Sequence, residues 1–250
     1  MKYLLLLSLL LSFSAYPDEL FDVALELAQK GNAIAQYNLG VMYANGEGVP
    51  ENDTEAVKWY RKAAEQGDAM AQLSLGYMYQ YGKGVPENYA EAVKWYRKAA
   101  EQGHAMAQYN LAQIYLRGEG VPQNYTEAFK WYRKAADQGY ADAQYNLGFM
   151  YDVGNGVSKN YAEALNWYRK AAGQGVAKAQ LKLGLMYVLG KGMLENNIRG
   201  YVWLSMAKTQ GNAKAIKVVD MLKTMMTPKQ IADGQALAAK CYESNYKDCD

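Results

Sequence analysis

Apolar residues recur along this chain at spacings of three and four, as at Ala35, Leu39, Met42 and Tyr43, and again at Ala56, Trp59, Tyr60 and Ala63. Such a period gathers them on one face of a helix. The pattern returns with each step of 36 residues, so that Trp59, Trp95, Trp131, Trp167 and Trp203 share one column and Tyr43, Tyr79, Tyr115, Tyr151 and Tyr187 another. Five units follow, 32–67, 68–103, 104–139, 140–175 and 176–211, each read as two helices. The first helix is expected to end at the paired glycines, Gly46 with Gly48 and their counterparts, because glycine enters the left-handed conformation without a steric penalty. The second begins at Asn52, Asn88, Asn124 and Asn160, each followed three residues later by Glu55, Glu91, Glu127 or Glu163. That spacing predicts a reciprocal capping box. Asn196 is followed by Arg199 instead, which predicts a weaker cap in the fifth unit.

The ends of the pattern differ from its middle. Asp18 to Gly31 match the second half of a unit in phase, which predicts an isolated helix over 16–31 with Pro17 at its first position. Beyond Gly211, Asn212 to Met225 resembles a first helix, and Thr227, Pro228 and Gln230 predict a cap before a last helix ending near Cys241. Residues 212–250 are thus expected to close the array. Met1, Lys2, the Leu-rich run from Leu4 to Leu11 and the small residues Ser12, Ser14 and Ala15 have the three parts of an export signal, with cleavage after Ser14 or Ala15. The run is about half the 20 apolar residues that span a bilayer, so no integral membrane segment is expected after cleavage. A periplasmic or secreted location follows as an expectation.

Composition narrows the function classes. The 27 basic residues nearly cancel the 25 acidic ones, leaving no strong field for a polyanion, so nucleic acid is not an expected partner. The two cysteines, Cys241 and Cys249, fit a disulfide in an oxidising compartment, with free thiols or a metal pair as other readings. A metal site has little support because the single histidine, His104, lies far away in sequence.

The run Ala35, Gln36, Leu39, Gly40, Met42, Tyr43, Gly46, Gly48, Val49, Ala56, Trp59, Tyr60, Ala63, Ala64 and Gly67 resembles the Sel-one-like repeat, a relative of the tetratricopeptide repeat. The resemblance covers nearly the whole chain beyond the leader. It departs at Ala112, where the repeat has glycine, and at Gly200, Leu204 and Met206. Unlike the cysteine-rich members, this chain has no cysteine inside its repeats. The resemblance implies an all-α, right-handed α-α superhelical solenoid, with first helices lining a concave groove and second helices outside. It also implies roles as adaptors in assemblies, host interaction or the cell envelope.

In a stacked array, columns that stay constant serve stacking and variable columns on the first helix are free for recognition. Positions 34, 38, 41 and 45 share one face, predicted to look into the groove. Read across the units they give Ile34, Asn38, Val41 and Asn45; Met70, Ser74, Tyr77 and Tyr81; Met106, Asn110, Gln113 and Arg117; Asp142, Asn146, Phe149 and Val153; and Lys178, Lys182, Leu185 and Leu189. Amides such as Asn38, Asn110 and Asn146 can both donate to and accept from a peptide backbone. Tyr77, Tyr81 and Phe149 offer rigid contact area, and Lys178 and Lys182 could hold a carboxylate. The expected partner is a protein or extended peptide, and the expected state a monomer.

One stretch resembles a catalytic motif. Ser205 to Lys208 reads S-x-x-K, the spacing of a serine nucleophile and its lysine in penicillin-interacting enzymes. Its companion motifs are missing, and Ser205 stands in the column of Arg61, an outward face. The glycine pairs follow a helix and not a strand, so they do not form a phosphate-cradling turn. No catalysis and no cofactor are expected. A cell-envelope adaptor of peptidoglycan machinery and a weak β-lactamase-like hydrolase remain as alternatives.

Overall fold

The computed structural model describes residues 17–249; the expected export signal over 1–15 lies outside them. Among the described residues the chain forms helices and no strand. They are α1 Pro17–Gln29, α2 Ala33–Asn45, α3 Asp53–Glu65, α4 Ala69–Tyr81, α5 Tyr89–Glu101, α6 Ala105–Arg117 and α7 Tyr125–Asp137. The remainder are α8 Ala141–Val153, α9 Tyr161–Gly173, α10 Ala177–Leu189, α11 Asn197–Thr209, α12 Ala213–Met225 and α13 Pro228–Glu243. Consecutive helices pack as pairs, the solenoid arrangement that the period predicts. They fall into two compact units, one up to Ala107 and one from Gln108.

Local sequence sets where these helices start. Asn52, Asn88 and Asn124 each accept from the backbone N–H three residues on, at 3.0–3.1 Å. The glutamates depart from the expected reciprocal box: Glu55, Glu91 and Glu127 turn forward to Lys58, Lys94 and Lys130. A lysine one turn on offers a carboxylate a charged donor, which outcompetes a backbone amide. The complete box is instead at α13, where Thr227 and Gln230 exchange bonds. Asn196 keeps its cap at 2.9 Å to the Arg199 amide, against the expected weakening, because the cap needs only that residue's backbone N–H. Asn32 and Asp68 cap first helices in the same way.

In the first unit, Trp59 packs with Ala28 of α1 and Ala35, Leu39 and Met42 of α2. Trp95 joins Val57, Tyr60 and Ala64 of α3 to Leu75 and Met78 of α4. Each indole therefore fills the seam between successive helix pairs. Within the second unit Trp167 repeats this placement, with the Arg133 guanidinium of α7 lying 5.3 Å from its ring centre. A lysine one turn on lies over the ring in the first four repeats, as Lys62 does over Trp59 at 3.8 Å and Lys170 over Trp167 at 4.0 Å. Such cation–π contacts let a basic helix surface coexist with an aromatic seam.

A second set of seam contacts is polar. Gln36, Gln72, Gln108, Gln144 and Gln180 are buried. Gln72 donates to the Ala64 carbonyl at 3.1 Å, and Gln144 to that of Ala136 at 3.2 Å. Their own carbonyls accept from Gln102 and Gln174. Those residues also donate back to Gly67 and Gly139 in the preceding turns. A buried amide with donor and acceptor both engaged avoids its desolvation penalty and fixes the register of one pair on the next.

Tyrosine hydroxyls complete the packing unevenly. A Cβ at Gly76 would meet the Tyr96 ring at 2.7 Å and one at Gly148 the Tyr168 ring at 2.8 Å, so glycine at these two positions lets the ring lie directly on the helix backbone. Tyr60 bonds Ser74, Tyr96 donates to Gln80 and Tyr168 to Asp152. In the third repeat Ala112 replaces the glycine, Leu116 occupies the acceptor column, and the buried Tyr132 hydroxyl lacks a partner among the described residues. Tyr132→Phe should therefore leave stability unchanged or raise it by up to about 1 kcal/mol, whereas Tyr168→Phe should cost about 1–2 kcal/mol in urea unfolding. Burial, with Asp152 adding at Tyr168, raises the ionisation of Tyr60, Tyr132 and Tyr168 far above the ordinary value. The unfolded chain ionises near about pH 10, so this contribution is intact below that value and is lost as pH rises toward the folded values. Urea midpoints should fall steeply between about pH 10 and 11.5, less steeply for Tyr168→Phe.

The fifth unit departs from the pattern by a compensated exchange. Leu204 takes the tyrosine column against Gly184, and Gly200 makes room for Val188, whose methyl would lie 2.5 Å from a Cβ there. Cys241 and Cys249 are bonded, with Cα atoms 4.5 Å apart and both residues buried. The closed tail lays the Tyr246 ring on the α9–α10 turn, where a Cβ at Gly175 would meet it at 3.1 Å. α13 packs on α11 through Gly234 and Tyr201.

Candidate binding face

The expected recognition columns divide by depth. Columns 34 and 45 carry exposed side chains in every repeat, column 41 is exposed only at Tyr77 and Phe149, and column 38 is half-buried except at Asn38.

In the first unit Ile34, Asn38 and Asn45 on α2 are exposed, as are Met70, Tyr77 and Tyr81 on α4. Tyr77 and Tyr81, 43% and 57% exposed, lie one turn apart with ring centres 4.6 Å apart. The pair forms a preordered aromatic ledge, with the Lys83 ammonium 5.7 Å from the Tyr77 ring centre. Val41 departs from its expected place: half-buried, it packs on the core cluster around Leu75. Ser74 is also half-buried and engages the Tyr60 hydroxyl. At the start of α6, His104 spends Nδ1 on the Ala107 amide and places Nε2 3.1 Å from Met70 Sδ.

In the second unit the amides are partly committed. Asn110 and Asn146 are half-buried. Gln113 donates to the Tyr109 hydroxyl at 2.7 Å, and Asn146 bonds the same hydroxyl. Burial raises the Tyr109 ionisation, and these two bonds oppose the rise. The Tyr140 ring lies 5.1 Å from that of Tyr109, extending an aromatic surface that the stripe alone did not include. Arg117 is exposed and pairs with Glu119 at 3.6 Å. Phe149 is exposed, with the Lys182 ammonium 5.3 Å from its ring centre. Lys182 pairs with Asp152 at 3.1 Å, so its charge is answered from α8, whereas Lys178 is exposed.

The stripe also continues one helix further than the five repeats. Lys214, Val218, Met221 and Met225 on α12 stand in the columns of Lys178, Lys182, Leu185 and Leu189. The sequence period contained this extension, but α12 reads as a cap when the repeats are counted as complete pairs.

The S-x-x-K stretch lies on α11. The Lys208 ammonium pairs with Asp220 of α12 at 3.6 Å. Among the described residues no group of three or more His, Cys, Asp or Glu is placed to hold a metal, and no helix is long and apolar enough to cross a membrane.

A stacked array of paired 13-residue helices, with recurring columns inside and varied columns outside, defines a helical repeat scaffold. The Sel1 repeat pattern matches five successive stretches, 33–68, 69–104, 105–140, 141–176 and 177–212. The chain belongs to the Sel1 repeat family, whose repeats generally mediate protein interactions. A Sel1 repeat protein from Oxalobacter formigenes is 42% identical, with a TM-score of 0.70 over 76% of this chain and 75% of that one. A protective antigen of uropathogenic Escherichia coli displaying the same repeat fold is 28% identical, with a TM-score of 0.49 over 92% of this chain and 65% of that one. Cysteine rich protein B of Helicobacter pylori is 26% identical, with a TM-score of 0.40 over 48% of this chain and 86% of that one. No curated protein matches the chain.

Proposed function

We propose that this protein is an exported, non-catalytic scaffold that binds an extended peptide or protein segment along the exposed face of its first helices. The observation that carries this reading is the division of columns. Residues that recur between repeats, such as the Trp59 and Gln36 series, are buried, whereas the varied positions keep large side chains at the surface: Tyr77, Tyr81, Phe149 and Leu189. Large apolar groups cost free energy in water unless something covers them. Aromatic rings already held in place lose little entropy when a ligand settles on them, which suits them to be binding anchors. Export supplies the setting, through the leader-like residues 1–15 and the terminal disulfide.

A peptide-array screen with the full chain beyond the leader tests this reading. For a ligand so found, Tyr77→Ala with Tyr81→Ala should weaken binding about tenfold or more, a loss typical of buried aromatic anchors. Asn110→Ala should weaken it less, since Asn110 is half-buried. Unchanged affinity in both variants would move the site off this face.

A further inference from the structure

We propose that the end of this face formed by α10 and α12 selects ligand segments that are acidic as well as apolar. The inference rests on the first-helix face being the binding surface, and it adds the chemistry of what binds at one end.

Two features of the second unit point there. The first is an apolar floor: Leu189, Met221 and Met225 are 58%, 54% and 65% exposed. Leu185 and Val218 pack on one shared cluster around Leu204, Ala215 and Leu222, which sets the stripes of α10 and α12 side by side over α11. Methionine side chains are flexible and polarisable, suited to a surface that accepts varied apolar partners.

The second feature is charge. α10 carries Lys178 and Lys182 with no acidic residue, and α12 carries Lys214, Lys217 and Lys223 against Asp220 alone. Lys182 is answered by Asp152, and Asp220 by Lys208. Lys178, Lys214 and Lys217 have no ion pair among the described residues. Asp142 is the carboxylate of the same column on α8, and it too forms no ion pair there. A net positive rim beside an exposed apolar floor favours a ligand carrying carboxylates next to leucine-like groups. The first unit supplies the contrast, since Ile34, Asn38, Asn45, Met70, Tyr77 and Tyr81 present no charge in these columns.

The test uses the full chain beyond the leader and two labelled peptides, Ac-EELLEELLEELL-NH2 and its glutamine match Ac-QQLLQQLLQQLL-NH2, followed by fluorescence anisotropy. The acidic peptide should bind about tenfold tighter at low salt, and raising ionic strength should erase the preference. The double variant Lys178→Glu with Lys214→Glu should abolish the preference, and Lys178→Gln with Lys214→Gln should reduce it. Both alter exposed positions, and circular dichroism checks the fold. Equal binding of the two peptides, binding of neither, or a preference surviving the charge reversal would overturn the proposal. The first of these, with Tyr77→Ala still weakening an array ligand, would leave the broader reading standing. Self-association abolished by the same substitutions would assign this end to a second copy of the chain and overturn the partner assignment.

Discussion

Replacing Trp167 by alanine should lower the stability of the second unit by about 3–5 kcal/mol, the usual range for emptying a fully buried aromatic site. The indole is 2% exposed, and it lies between the Lys170 ammonium of its own helix and the Arg133 guanidinium of α7. Its loss leaves a cavity and strands two cations that had stacked on the ring. In a stacked array such a seam couples neighbours, so the damage should appear as lost cooperativity as well as a lower midpoint. Urea unfolding followed by circular dichroism should show one transition in the parent chain and a broadened or split one in Trp167→Ala. A loss below about 1 kcal/mol would mean that the seam is held by something other than the tryptophans.

Gly156→Ala should be nearly as damaging, and its neighbour Gly154→Ala much less so. Both glycines lie in the left-handed region, at φ of 83° for Gly154 and 68° for Gly156, where a side chain costs about 1–2 kcal/mol. At Gly154 that is nearly the whole effect, because a Cβ there meets Lys159 at an ordinary 3.4 Å. At Gly156 the Cβ would collide with the carbonyl of Tyr125 and approach the Thr126 nitrogen to 2.9 Å. Those atoms belong to the first turn of α7 in the preceding repeat and cannot move aside without lifting the loop. The expected loss is about 3–4 kcal/mol, combining overpacking with conformational strain. Thermal melts of the two variants side by side check the difference; equal losses would show that the loop gives way freely.

The contrast between these glycines illustrates how far the sequence could be read. Their recurrence marked both as a helix end, and Gly154 does end α8, its N–H bonding to the Met150 carbonyl. Gly156 recurs for a different reason, an approach to a backbone 31 residues earlier, and no local rule distinguishes the two. The glutamine series behaves likewise. Gln144 and Gln174 were visible as constants of the period, but that one accepts from the other across a seam is a property of stacked neighbours. The candidate face shows the same division. Tyr77, Tyr81, Phe149 and Lys178 are at the surface as the stripe predicts, whereas Val41 turns to the core, Ser74 to Tyr60 and Lys182 to Asp152.

By itself the sequence determined the helix-pair period, the cap and turn positions, the buried tryptophan and alanine columns and the family, because each depends on spacing within one unit and a helix converts spacing directly into a face. Tertiary structure decided which exposed positions remain available, which polar groups are already spent on a neighbour, and that the stripes of α10 and α12 lie side by side over α11. Those outcomes depend on which side chains of separate repeats come within hydrogen-bonding or packing distance, and a one-dimensional period carries no record of that distance.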